Sequence, residues 1–252
     1  MKTYEDLLEV GLDEQKRGEF CRDAIELFKT EPSYKEAVAG EAYYNKHNIT
    51  IENFKKFITT ISGRKVENTF SANYKLKTLI FRRFITQISQ YMLGNGLKLE
   101  NGENKAKLGK DFDYKLQLAF KKAMVQGRSF GFWNLDHLEV FGYCETSTQP
   151  GFCPLYSEET GELVAGIRFW HRRVGDKVVL RTTLYEPDGY TEYKKVGSDP
   201  AQLLEPKRGY IKTVTATEAG GIESVEYSNY NFFPIIPLYA NDIHESELNG
   251  IR

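Results

Sequence analysis

Residues that ligate metals or form nucleophile–base pairs are sparse in this chain. It has four histidines and three cysteines in 252 residues. His47, His137, His171 and His244 form neither H-x-x-x-H nor H-E-x-x-H, so helical zinc-ligand spacing is missing. Asp136-His137 and His244-Glu245 are adjacent pairs, and neighbours on a strand point to opposite faces. Cys21, Cys144 and Cys153 make no C-x-x-C pair. Their odd number and wide spacing fit three ordinary thiols in a reducing compartment. No metal and no cofactor is expected. A Gly-rich phosphate loop is missing too, because Gly94-Asn95-Gly96 does not open a helix after a strand. There is no G-x-S-x-G nucleophile elbow. The N-terminal segment is charged too early and too often for a secretory leader. No apolar run is long enough to span a membrane, so the chain is expected to be made in the cytosol without membrane attachment. Excess charge of one sign is also lacking. The formal net charge of −1 excludes a protein that coats nucleic acid by neutralising phosphates. It does not exclude one that surrounds DNA without gripping it.

What is present is ordinary bulk with extra aromatics. Hydrophobic residues make up 40% and charged residues 27%, as in a soluble globular protein. Length allows one large domain or two small ones, with a substantial core. The 16 Tyr and 16 Phe suit half-buried strand faces and protein–protein contacts. A chain of this size with no recognisable site points to a structural or binding protein rather than an enzyme.

Hydrophobic periodicity divides the chain. Tyr4 to Val10 and Gln15 to Lys29 have helical spacing. Pro32 breaks that run, and Ser33 with Glu36 matches a capping box for the next helix. Asn48 and the β-branched Ile49-Thr50-Ile51 are expected to end it. Thr69 to Leu93 reads as the clearest helix. Leu76, Leu79, Ile80, Phe84, Ile88, Tyr91 and Met92 form one broad stripe, widened by Phe81 and Ile85. That width predicts burial over more than half the girth. Asn101 to Lys110 reads as a loop and Tyr114 to Val125 as a helix ended by Gly127. After Gly127 the period changes to two. Strands are expected at Ser129–Trp133, Leu138–Phe141, Leu163–His171, Lys177–Tyr185, Gly189–Lys194, Tyr210–Val214 and Val225–Tyr227. Gly175-Asp176 and Asp188-Gly189 are hairpin turns. The segment from Asn231 to Tyr239 holds two prolines and fits only an edge or a crossing. Helices first and strands after predict an α+β fold, with the best boundary near Gly127.

Three groups of side chains have two readings. Lys75, Lys77, Arg82 and Arg83 could face phosphate, or form a solvated or intersubunit face. Asp111 and Asp113 could share acid–base work, but their place at a helix start fits the positive end of the dipole. His171-Arg172-Arg173 could touch phosphate, or lie in a solvent-facing turn.

Several segments, in order, resemble the portal proteins of tailed bacteriophages, in particular those of long-tailed phages of Gram-positive bacteria. Glu41-Ala42-Tyr43-Tyr44-Asn45 is similar to an early helix end of that family. Tyr91-Met92-Leu93-Gly94-Asn95-Gly96 resembles the end of its long helix. Ala123-Met124-Val125-Gln126-Gly127-Arg128-Ser129-Phe130 resembles its helix-to-strand step. The meander from Glu158 to Tyr193 looks like the middle of its wing. Pro154-Leu155-Tyr156, Thr160-Gly161-Glu162-Leu163 and Gly166-Ile167-Arg168-Phe169-Trp170 carry that match. Phe233-Pro234-Ile235-Ile236-Pro237-Leu238-Tyr239-Ala240-Asn241, with Glu245 to Arg252, resembles the approach to the stem.

The resemblance implies a ring-forming connector of about twelve copies at one capsid vertex. Residues 1–126 would be the helical part of a portal wing and 127–241 its antiparallel β-rich part. Residues 242–252 would start a stem-leading helix. Double-stranded DNA would pass through the channel without sequence specificity. Partners would be the terminase large subunit, the major capsid and scaffolding proteins, and head-completion or tail-adaptor proteins. Terminase would supply the energy, so no catalytic residue is expected. The setting would be the virion, and the bacterial host cytoplasm during assembly. Portal proteins of this branch continue past this point, so the DNA-channel residues are expected to lie beyond residue 252. A second reading stays open: a small α+β binding module or hydrolase unrelated to portals, with a deep pocket of convergent polar groups.

Overall fold

Two capped helices open the chain. In the computed structural model, which describes residues 1–100, 105–216 and 222–250, α1 spans Tyr4–Val10 and α2 Glu14–Thr30. At the head of α1 the Thr3 hydroxyl accepts from the Asp6 N–H at 3.3 Å. The Asp6 carboxylate accepts from the Thr3 N–H at 3.0 Å. Asp13 caps α2 by accepting from the Gln15 and Lys16 N–H groups, each at 3.1 Å. Both devices satisfy N–H groups that have no partner inside the helix. Helix α3, Pro32–Tyr44, departs from the capping-box expectation. Pro32 sits in its first turn, where φ is already helical and the missing N–H costs nothing. Ser33 is inside the helix, and its hydroxyl meets the Tyr143 hydroxyl at 2.9 Å. The Ile49-Thr50-Ile51 run does not simply end a helix. It forms a short one of its own, α4, Ile49–Glu52.

No expectation covers residues 53–68, and residues 69–79 depart from the expected helix. Together they form a hairpin, β1 Phe57–Thr59 with β2 Lys65–Glu67, then chain without regular structure. Helix α5 covers Ile80–Leu93 rather than Thr69–Leu93. The Asn68 side chain accepts from the Phe70 and Ser71 N–H groups at 3.1 and 3.2 Å, and Lys75 and Lys77 tie the following segment to Glu52 of α4. Of the expected loop from Asn101 to Lys110, residues 101–104 lie outside the described residues.

Helix α6, Phe112–Gln126, ends at Gly127 with φ +84°, a conformation glycine adopts without strain. An eight-stranded sheet follows. Its strands are β3 Arg128–Asn134, β4 His137–Gly142, β5 Gly151–Tyr156, β6 Leu163–Val174, β7 Lys177–Glu186, β8 Gly189–Val196 and β9 Gln202–Arg208. A separate ribbon, β10 Ile211–Ala216 with β11 Ile222–Ser228, precedes the last strand, β12 Ile235–Tyr239. The order is β12-β3-β4-β5-β6-β7-β8-β9. The proline-bearing β12 is an edge strand, as its sequence requires. Every pairing is antiparallel except one parallel bridge, Gly142 to Gly151. That lone bridge leaves the β4 side of β5 without a ladder at Pro154, where a residue lacking an N–H is tolerated.

The sheet curls. Strands β3 and β7 stand four places apart, about 19 Å in a flat sheet. Yet the Phe132 and Tyr185 ring centroids are 5.3 Å apart. Phe130, Phe141, Phe152 and Tyr210 complete the aromatic filling of the curl. A side chain at Gly166 would collide with the Phe152 ring, so only glycine fits there. The other face carries Cys153, Ile167, Phe169 and Leu184, in one core with Leu7, Cys21, Ala24, Ile25 and Phe28 of α1 and α2. A second, smaller core joins Phe81 and Ile85 to Met124, Val125 and Leu248. Thus the fold is α+β, and the larger core draws on both sides of residue 127. Over 242–250 the chain ends in a 3-10 turn, Glu247–Gly250, with Ile251 and Arg252 outside the described residues.

Two buried polar ties lock these layers. Arg17 of α2 pairs with Glu186 at the end of β7, and Lys207 lies 3.2 Å from the same carboxylate. At the other end, Gly40 of α3 lies directly over the Val125 carbonyl, which accepts from Ser246 Oγ at 2.6 Å. A Cβ at Gly40 would run into that carbonyl and lie 2.9 Å from Ser246 Oγ. Gly40→Ala should therefore destabilise the protein by about 1–3 kcal/mol in urea denaturation, despite alanine's better helix propensity. Unchanged or raised stability would mean that α3 and α6 separate freely.

Candidate functional site

The candidate site is a surface rather than a cleft. It is the arm formed by residues 53–79 together with the outer face of α5. In water, apolar side chains normally leave the surface when a core can take them. Here they do not. Ile61 is 110% exposed, Phe70 95%, Tyr74 89% and Leu76 80%. Phe54, Phe57, Ile58 and Val66 are exposed as well. The hairpin has no buried residue on either strand. Helix α5 buries only Phe81, Ile85 and Ser89, one residue per turn. Ile80, Phe84, Tyr91 and Met92 are exposed. The expected burial over more than half the girth is therefore not found. Only α6 and Leu248 supply apolar partners from buried positions, and they cover one stripe.

Polar contacts hold the arm where apolar packing does not. Lys55 meets Glu67 at 2.9 Å, and Lys77 meets Glu52 at 2.6 Å. Lys75 donates to the Glu52 carbonyl, and Lys56 donates to the Ala72 carbonyl at 2.8 Å. Asn73 donates to the Phe54 carbonyl at 3.2 Å. Arg82 lies over the Tyr44 ring, 5.1 Å from its centroid. Thus Lys75 and Lys77 lie in an extended segment that flanks α4, and Arg82 stacks on α3. Among the described residues Arg64, Lys65 and Arg83 form no ion pair.

The other sequence candidates are scattered. His47, His137, His171 and His244 do not converge, and no group of three or more potential metal ligands exists among the described residues. His137 pairs with its neighbour Asp136 at 2.9 Å. His171 meets Glu145 at 2.7 Å. His244 stacks on Tyr239, with centroids 3.7 Å apart. Burial, and then the charge of Arg128, lower the His244 pKa. All three cysteines are free and buried. Burial pushes the Cys144 thiol up to about 12 and raises Cys21 and Cys153 as well, so none is a ready nucleophile. Asp111 stands at the head of α6 without making a side-chain cap. Asp113 instead ties the preceding loop. It accepts from Lys105 Nζ at 2.8 Å and from the Leu97 N–H at 3.0 Å. Those two bonds lower its pKa, Lys105 first. Arg172 and Arg173 lie exposed near the end of β6, beside the Gly175-Asp176 turn.

Sequence reasoning missed one buried polar knot. The Gln126 carboxamide donates to Glu41 at 2.6 Å and accepts from the Tyr143 and Cys144 N–H groups at 2.6 and 3.2 Å. Lys122 pairs with the same Glu41 carboxylate. A surface cleft of about 480 Å³ opens beside this knot, lined in part by Asn45, His47, Thr146 and Thr148. Its charged groups are engaged within the chain, Glu41 with Lys122, and Glu145 with His171 at 2.7 Å and Lys29 at 3.6 Å, rather than poised for a substrate. The available signal was the pair of segments holding Glu41 and Gln126, which sequence similarity had marked separately. No helix among the described residues is long and apolar enough to cross a membrane. No protein-family model matches the chain, and no curated protein matches it.

Because Ile61 and Phe70 are almost wholly exposed, removing them should leave the chain's own stability intact. The double variant Ile61→Ser with Phe70→Ser should unfold within about 0.5 kcal/mol of the parent at a dilution where the chain is monomeric. A loss of several kcal/mol would show that these residues belong to a core.

Proposed function

We propose that this chain is the wing of a phage portal subunit, a structural protein that assembles into a ring around a DNA channel. The observation that carries the reading is the exposed apolar surface of the arm and α5. A concentration of exposed large apolar side chains of this kind fits a protein contact. Two further features support it. The segments that resemble portal proteins meet in space, since Glu41 of the first hydrogen-bonds to Gln126 of the third. Gly166 and Pro154, from the central segments, form a cross-strand pair in the curled sheet.

In this role the chain has no reaction to catalyse. Its work is to hold subunits at a fixed angle, to present surfaces to capsid and scaffolding proteins, and to support docking of the terminase large subunit and head-completion proteins. DNA would slide through the ring without sequence-specific contacts, and the near-neutral net charge suits that role. Ring closure needs head-to-tail contacts between two different surfaces of each copy.

Native mass spectrometry with electron microscopy of the purified protein tests this. The expected result is a closed ring of about twelve copies. An isologous dimer as the sole assembly, or a monomer at every concentration, would overturn the reading.

A further inference from the structure

The arm has a charge as well as an apolar surface. Residues 53–83 carry eight Lys and Arg against one Glu, a net +7 in a chain of −1. The remainder therefore carries −8. The first 31 residues hold nine acids against five bases, a net −4. That stretch forms α1 and α2. Between them runs an open groove of about 630 Å³, lined by Glu9, Asp13, Glu19 and Asp23, with Lys2 and Lys16. Leu8, Leu12 and Leu27 stand exposed on the same two helices and the turn between them. The chain thus holds a basic, apolar arm and a groove lined by four carboxylates and two lysines, of which Asp13, Glu19 and Asp23 are paired with Lys16 and Arg22, with exposed leucines on the flanking helices.

We propose that the arm of one copy docks into the α1–α2 groove of a second copy. The occupant is a second copy because the complementary partner surface is already in the chain. Two observations favour protein over nucleic acid. The exposed residues of the arm include the aliphatic Ile58, Ile61, Val66 and Leu76, which a stacking platform for bases does not require. Also, the hairpin offers unpaired strand edges beside those side chains. The contact is heterologous, since arm and groove are different surfaces, so it propagates from copy to copy. Apolar residues supply the burial. The opposite charges set the register and reject arm-to-arm pairing, which would bring +7 against +7. This deepens the ring reading by naming the contact, and it rests on that reading only in requiring a second copy.

Reversing the charges tests the contact. Arg64→Glu with Lys65→Glu changes the tip of the arm, where neither side chain forms an ion pair among the described residues. Glu9→Lys with Asp23→Lys changes the groove. All four side chains are exposed, and circular dichroism with thermal melting checks that each variant folds. In sedimentation velocity each pair of reversals should raise the concentration needed for assembly roughly tenfold, and all four together in one chain should restore it. Assembly of the arm variant at the parental concentration would overturn the contact. So would a parental chain that stays monomeric. Parental assembly by the arm variant, with loss of its retardation of short double-stranded DNA on a gel, would make the arm a nucleic-acid surface instead. Electron microscopy separates the two proposals. A closed ring formed equally well by the arm variant would leave the portal reading standing and end this one. Open chains that the reversals dissolve, and the fourfold variant restores, would do the opposite.

Discussion

The carboxamide of Gln126 is the joint on which the architecture depends. It sits at the last turn of α6, one residue before the backbone turns at Gly127 and the strands begin. Its oxygen takes two backbone N–H groups at the end of β4, and its nitrogen reaches Glu41 on α3. A glutamine is suited to this because it both donates and accepts on one planar group. Removing it would leave buried backbone donors and a buried carboxylate short of partners, each costing about 1–3 kcal/mol. Through this one side chain the helical core around Val125 is registered against the sheet core around Tyr143.

The arm is built by the opposite logic. It is held by lysines bonded to carbonyls and carboxylates at the surface, contacts individually worth little in water. Most of its apolar side chains stay exposed, Ile61, Phe70, Tyr74 and Leu76 most of all. The fold places its buried networks at its own joints and leaves an apolar, basic arm uncovered, which is the basis for the assembly proposed above. That contrast, rather than any pocket, directs the functional reading toward a self-associating structural protein.

Much of the chain was legible from local chemistry. The 3.6-residue period found α1, α2 and α6, and Gly127 marked the end of α6. The two-residue period and the Gly175-Asp176 and Asp188-Gly189 turns found β6, β7 and β8. Two prolines placed β12 at an edge. The failures have physical causes. Thr69 to Leu79 shows helical spacing, but Lys75 and Lys77 anchor the segment to Glu52 of α4. Ser33 and Glu36 fit a capping box, but Pro32 already opens the helix. Periodicity does not mark strands β5 and β9; they hold Pro154 and Pro206, tolerated where β5 lacks a ladder to β4 and where β9 is an edge strand.

By itself the sequence determined the element types, the change from helix to strand near Gly127, the α+β class and the lack of any familiar catalytic or metal motif. Those follow from short-range rules of periodicity, capping and turn preference. Only the tertiary structure decided that the sheet curls around Phe132 and Tyr185, that Glu41 and Gln126 meet across 85 residues, and which face of the α5 stripe stays in water. The physical reason is that periodicity states which side chains share a face. Whether another element arrives to cover that face depends on contacts between residues far apart in the chain, and no local pattern encodes them.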